Sequence, residues 1–185
     1  MPTLHREPSI LPDNLLAADW QPVEADGLWW VIHTSPRSEK ALARQLFRHG
    51  IPFYLPLYEK SARRQRRLVK SYLPLFPGYL FIVASEPQRS TAFHTNLVVN
   101  CLEVRDQERL RSDLQRIHGL CDSGELVTPE RKLQVGTAAE IVSGPLKGYR
   151  GTIVRTGTAM RFVIEVDFLQ SGASVEVDVT CIRAL

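Results

Sequence analysis

An α+β fold in two parts is predicted for this 185-residue chain, and three observations predict it. Residues 28–120 interleave short apolar runs with segments of helical periodicity, in the order β, α, β, β, β, α, β, α. With strands that short and connections that tight, a mainly antiparallel sheet flanked by helices is the economical solution. From Cys121 the stretch CDSGELVTPERKLQVG is polar, with two Gly and a Pro, and reads as a flexible linker over 121–134. Residues 135–185 are runs of about five strand-forming residues between Gly-bearing turns, the pattern of a small closed or nearly closed β-barrel.

Each element has a local reason. Residues 1–27 are Pro-rich, acidic and without periodicity, which predicts a disordered arm. LWWVIH (28–33) is a compact apolar strand. SPRSEKALARQLFRHG (35–50) reads as a helix with Ser35 as N-cap, Pro36 in the first turn and Gly50 just past the end. Leu42 with Leu46, and Ala43 with Phe47, mark its expected buried face. FYLPLYE (53–59) is a strand whose Pro56 cannot donate to a ladder, so an edge or a bulge is expected there. The run 60–70 bridges to SYLPL (71–75), and Phe76-Pro77-Gly78 turns the chain into YLFIVA (79–84). A short helix is predicted from Ser85 to about Thr95, then the strand LVVNCLEV (97–104). DQERLRSDLQRIHGL (106–120) follows as a helix with Asp106 as N-cap and Leu110, Leu114 and Ile117 on one face.

Composition excludes several classes. The longest apolar run is six residues, far short of the roughly 18 a membrane helix needs, and the N-terminus has no signal-peptide core, so a soluble, cytoplasmic protein is expected. Cys101, Cys121 and Cys181 share no metal-ligand or disulfide spacing and are expected as reduced, mostly buried thiols. Net charge is +3, distributed unevenly: residues 1–28 carry −4, 29–104 carry +7, and the rest balance. Lys60, Arg63, Arg64, Arg66, Arg67 and Lys70 fall in eleven residues with no acid among them. Such a cluster attracts polyanions, because each phosphate neutralised releases condensed counterions. The sequence contains no H-E-x-x-H, G-x-S-x-G or Walker-type loop, so neither an enzyme nor a cofactor is expected.

WWVIHTSPRSEKALARQL, FYLPLYEK, PLFPGYLFIV, IVSGPLKGYRGTIV and VDFLQSGASVEVDV resemble, in order and spacing, the NusG family of transcription elongation factors. The wording of YLPLYEK and PLFPGYLF resembles the specialised RfaH-like and polysaccharide-locus antiterminators. The resemblance implies an NGN domain over 28–120 that binds RNA polymerase, and a KOW β-barrel over 135–185 that recruits other factors. Trp30 stands where the family usually has Tyr, and the acidic arm has no family counterpart.

Strand alternation puts Tyr79, Phe81 and Val83 on one face of their strand and Leu80, Ile82 and Ala84 on the other. By resemblance, Phe76, Tyr79 and Phe81, extended by Tyr54 and His33, face the clamp helices of the largest polymerase subunit. Arg89, Ser90 and Thr91 correspond to the element that meets the gate loop across the DNA cleft. The basic run is expected at the tip of a hairpin against DNA in the elongation complex, with Arg37, Lys40 and Arg44 of the first helix as further nucleic-acid contacts. Leu146, Phe168 and Leu169 are the implied contacts of the KOW module to Rho or a small-subunit ribosomal protein, while Gly148 and Gly151 are expected to serve turn geometry. The implied agent is a monomer that suppresses pausing. A ribosome-associated, KOW-containing RNA-binding protein is the alternative, since KOW elements also occur in ribosomal proteins.

Overall fold

The computed structural model describes residues 8–23, 26–64, 67–130, 136–156 and 159–185. The chain forms two compact units that divide between Arg111 and Ser112. The first contains β1 (Ile10–Leu11), β2 (Leu28–Thr34), α1 (Glu39–Arg48), β3 (Phe53–Tyr54), β4 (Leu57–Arg64), β5 (Arg67–Pro74), β6 (Tyr79–Ala84), α2 (Glu86–Phe93), β7 (Val98–Glu103) and the start of α3 (Gln107–Asp122). Five strands make an antiparallel sheet in the order β1-β3-β6-β2-β7, and β4 and β5 form a separate two-stranded hairpin. Among the described residues, no helix is long and apolar enough to cross a membrane.

Register sorts the sheet residues into two faces. Trp30 and Ile32 of β2 lie opposite Ile82 and Leu80 of β6, and Phe53 of β3 lies opposite Ile82. These residues share a core with Leu42, Ala43 and Leu46 of α1 and Ala92 of α2. The other face is a row across four strands: Val31 opposite Phe81, Phe81 opposite Tyr54, Tyr54 opposite Ile10. Val31, Phe81 and Tyr54 are all buried. At the margin of this face the N-terminal segment leaves β1 and reaches the first turn of α3, where the Arg111 guanidinium donates to the carbonyls of Ala17, Ala18 and Trp20. Gln107 ties the same turn to β2: its Oε1 accepts from the Trp29 N–H at 2.7 Å and its Nε2 donates to the Trp29 carbonyl at 3.1 Å.

Several sequence expectations need correction. The arm expected over 1–27 is ordered in its described part 8–23: the Leu55 N–H donates to the Ser9 carbonyl at 2.7 Å, and Leu15, Leu16 and Trp20 are buried. A few apolar residues suffice when a sheet edge is available, even inside an acidic stretch. Helix α1 starts at Glu39 with Ser38, not Ser35, as N-cap, because Arg37 adopts φ 62° and interrupts the chain just before it. Phe47 is 51% exposed rather than on the buried face. FYLPLYE divides at Leu55-Pro56 into β3 and β4, as a proline without an N–H requires.

The second unit holds the rest of α3 and a six-stranded antiparallel sheet. Its strands are β8 (Thr128–Glu130), β9 (Thr137–Ile141), β10 (Arg150–Thr156), β11 (Ala159–Val166), β12 (Ser171–Glu176) and β13 (Ile182–Ala184), in the order β13-β9-β10-β11-β12-β8. Phe162, Ile164 and Val166 of β11 are fully buried, with Ile141, Leu146, Ile153, Ala173 and Val175 also in the interior. The expected linker 121–134 is only partly a connection: Cys121 and Asp122 belong to α3, and Thr128–Glu130 is a strand. Polar side chains hold that strand in place, since the fully buried Ser174 hydroxyl bonds Glu130 Oε1 at 2.7 Å and accepts from Arg161 Nε at 3.0 Å. Residues 131–134 lie outside the described part of the chain.

Gly148 has φ 88°, as a turn glycine should. Gly151 is different, for it lies within β10, where an added Cβ would sit 2.3 Å from the Val163 carbonyl and 2.9 Å from the Phe162 ring. Gly151→Ala is therefore expected to destabilise the C-terminal unit by about 1–3 kcal/mol through overpacking, measured by urea unfolding.

Candidate functional site

The Phe76-Pro77-Gly78 bend is held from three sides. Gly78 adopts φ 85°, and its N–H donates to the buried Glu39 Oε1 at 2.6 Å. The Gly78 carbonyl accepts from the Thr34 N–H at 2.8 Å, and the Tyr79 N–H donates to the Phe76 carbonyl at 3.0 Å. This clamps the bend to the start of α1 and the end of β2. The His33 and Tyr79 rings, opposite one another in the register, stack with centroids 5.2 Å apart and planes 23° from parallel. A Cβ on Gly78 would meet the same imidazole at 3.6 Å. Both rings are half-buried and form the open end of the second face.

The other rings expected on that surface are not exposed. Phe76 is 4%, Tyr54 3% and Phe81 0% exposed, and Phe76 packs edge-on against Phe81 with centroids 6.1 Å apart. Alternation puts Phe81 and Tyr54 on the expected face, where they are buried with Val31, while Tyr79 and His33 at one end are half-buried.

The expected cluster on α2 is divided. Arg89 is paired with Glu86 and lies 4.3 Å above the Trp30 ring, a cation–π contact worth about 0.5–1 kcal/mol. The hydrogen bond that it donates to Glu86 favours the charged guanidinium and raises its pKa further. The Thr91 hydroxyl turns back to the Pro87 carbonyl at 3.0 Å, and Ser90 is exposed. Beside this cluster burial pushes the Cys101 thiol up to about 11, so it stays protonated. Cys101, Cys121 and Cys181 are each half-buried, with no disulfide between them.

The basic run forms the hairpin itself, not a loop at its end. β4 and β5 pair from Leu57 opposite Pro74 to Arg64 opposite Arg67, with Arg63 opposite Leu68; Arg66 lies outside the described residues. Lys60 is exposed, but Lys70 is paired with Glu59 at 3.0 Å. Lys40 is likewise committed, since its Nζ donates to the Tyr72 carbonyl at 2.6 Å and joins α1 to the hairpin stem. Arg37 and Arg44 are exposed. In the second unit Leu146 is 4% exposed and belongs to the interior. Phe168 and Leu169 sit in a 3-10 turn, Asp167–Leu169, with Phe168 exposed and Leu169 half-buried. Among the described residues no group of three His, Cys, Asp or Glu could hold a metal ion.

The family model described as "Transcription termination factor nusG" matches residues 27–116, the stretch that builds β2 to α3 and the bend between them. The match to the NusG family model thus covers most of the first unit and the start of the second. A solved structure described as "Domain interaction in Thermotoga maritima NusG" has the same fold, with TM-score 0.52, 18% identity, and coverage of 86% of this chain and 97% of that one. The "MjSpt4:Spt5 complex conformation B" structure aligns at TM-score 0.29 and 13% identity, over 85% of this chain and 97% of that one. No curated protein matches the sequence.

In the first unit, the residues that sequence reasoning missed are those acting on the backbone. Glu39 was legible only as a helix residue, and nothing in its spacing indicates a bond to Gly78. Gln107 and Arg111 are similar, since each holds main chain far away in sequence. Trp30 was visible as a departure from the family, but its role under Arg89 was not.

Glu39→Ala strands the Gly78 N–H and is expected to cost about 1–3 kcal/mol in urea unfolding, whereas Glu39→Gln, which keeps an acceptor, costs less. A second expectation concerns Glu59, whose carboxyl is held below its ordinary range chiefly by the Lys70 hydrogen bond. A depressed folded-state value means the pair contributes above the unfolded carboxyl's pKa and is lost as pH falls through the folded one. An NMR titration should find Glu59 ionising below a free glutamate, and Lys70→Ala should move it back up. The side chains are exposed, so the effect on stability is small.

Proposed function

We propose that this chain is a transcription elongation and antitermination factor that binds RNA polymerase and performs no chemistry. The observation that carries this reading is the NusG family match over residues 27–116, which spans the stacked Tyr79–His33 end, the Glu39-clamped bend and the hairpin. In this reading residues 28–120 act as the NGN domain and dock on the clamp helices of the polymerase largest subunit. Tyr79 and His33 make the first contact, with Phe76, Phe81 and Tyr54 behind them. Ser90, at the exposed edge of α2, faces the gate loop across the cleft, and bridging the two sides holds the clamp closed and suppresses pausing.

The hairpin is assigned to DNA phosphates. Lys60 and the arginines at 63, 64, 66 and 67 supply the charge, while Lys40 and Lys70 serve the hairpin's own structure. Phosphate contacts position a protein without reading bases, so the hairpin stabilises the complex similarly on every template. Residues 135–185 act as the KOW domain, with Phe168 and Leu169 as the contact for Rho or a small-subunit ribosomal protein.

The test is binding to core polymerase and to reconstituted elongation complexes. Tyr79→Ala should weaken binding to core polymerase without unfolding the chain. Changing Arg63, Arg64, Arg66 and Arg67 to Ser should leave that binding intact and flatten the salt dependence on elongation complexes by about 0.7–0.9 log units for each phosphate the variant no longer neutralises. Retention on ribosomal RNA with no affinity for polymerase would overturn the reading.

A further inference from the structure

We infer that residues 9–20 are an internal occupant of the partner-facing side of the first sheet, a strap that lifts when the partner takes the face. The inference rests on the polymerase reading given above. The register places the strap: Ile10 continues the row Val31, Phe81, Tyr54, three residues of the partner-facing side that are buried in this structure. Beyond β1 the segment buries Leu15, Leu16 and Trp20 and ends under Arg111, which binds three of its carbonyls. It therefore runs from the β1 edge of the sheet to α3, and leaves Tyr79 and His33 half-buried beside the exposed Asn100.

The strap is built to move as a piece. Its own turns are closed by internal bonds, Leu15 N–H to Pro12, Ala17 N–H to Asn14 and Trp20 N–H to Ala17. These survive lifting. Its ties to the body include the two-residue β1 ladder, the Leu55 N–H on the Ser9 carbonyl, the Arg111 clasp and the buried Leu15, Leu16 and Trp20 side chains. The clasp is incomplete, because Arg111 Nε is buried without a hydrogen-bond partner among the described residues. An edge segment whose turns are closed by its own bonds can open locally, below the global unfolding free energy. Asp13 and Asp19 face outward, so the strap is acidic where residues 29–104 are basic, and a polyanion gathered by the hairpin disfavours the closed state.

The test uses the full chain. Amide exchange at Leu55, whose proton is held by the Ser9 carbonyl of the strap, should be at least about tenfold faster than at Val31 and Ile32 of the central strand. Arg111→Ala should speed Leu55 exchange further, leave Val31 and Ile32 unchanged, and tighten binding to core polymerase about tenfold or more, the factor expected when the open state is at most about 10% populated. Leu55 exchange at the rate of Val31 would overturn the proposal, as would an Arg111→Ala chain that exchanges faster yet binds polymerase no more tightly. If neither chain binds polymerase while Leu55 exchanges fast, the lifting strap stands and the polymerase reading fails.

Discussion

The pairing of β2 with β6 is the constraint on which the first unit depends. Its register puts Ile32, Leu80 and Ile82 toward α1, and Val31, Phe81 and Val83 toward the opposite side. A slip by one residue would exchange the two sets and strand the aromatics in the helical core. The Gly78 bend sits at one end of this pair and the Gln107 contact to Trp29 at the other, so both ends of the register are pinned by polar bonds to main chain.

Much of this was legible in the sequence because it rests on local chemistry. YLFIVA alternates, Ser85 and Asp106 lie at helix starts, with Asp106 accepting the Arg109 N–H at 3.0 Å, and Pro56 interrupts its strand as its missing N–H demands. Two of the errors share a cause: they concern segments whose state is set by an edge elsewhere in the chain. Residues 10–11 become a strand because β3 offers unpaired backbone, and residues 128–130 become one because β12 does. Composition averages over such stretches and reports only their polarity.

The candidate site divides along a similar line. Period-two alternation groups Tyr79 with Phe81, and the register sets Tyr54 beside Phe81 and His33 beside Tyr79 on that face. Their accessibility was not readable, because exposure depends on what another segment lays over them. The basic run shows the same limit in charge: Lys40 and Lys70 look like their neighbours in sequence, yet one holds a carbonyl and the other a carboxylate.

The hairpin also has a mechanical consequence. Eight residues of β4 at about 3.4 Å each make an arm of about 27 Å, which leaves the body at a stem fixed by Lys40 on the Tyr72 carbonyl and by the Leu75 N–H on the Pro56 carbonyl. Such an arm converts a tilt of about 10° at the stem into a displacement of about 5 Å at its far end. A small adjustment of α1 is thereby geared up into a stroke comparable to the spacing of phosphates along a nucleic-acid strand.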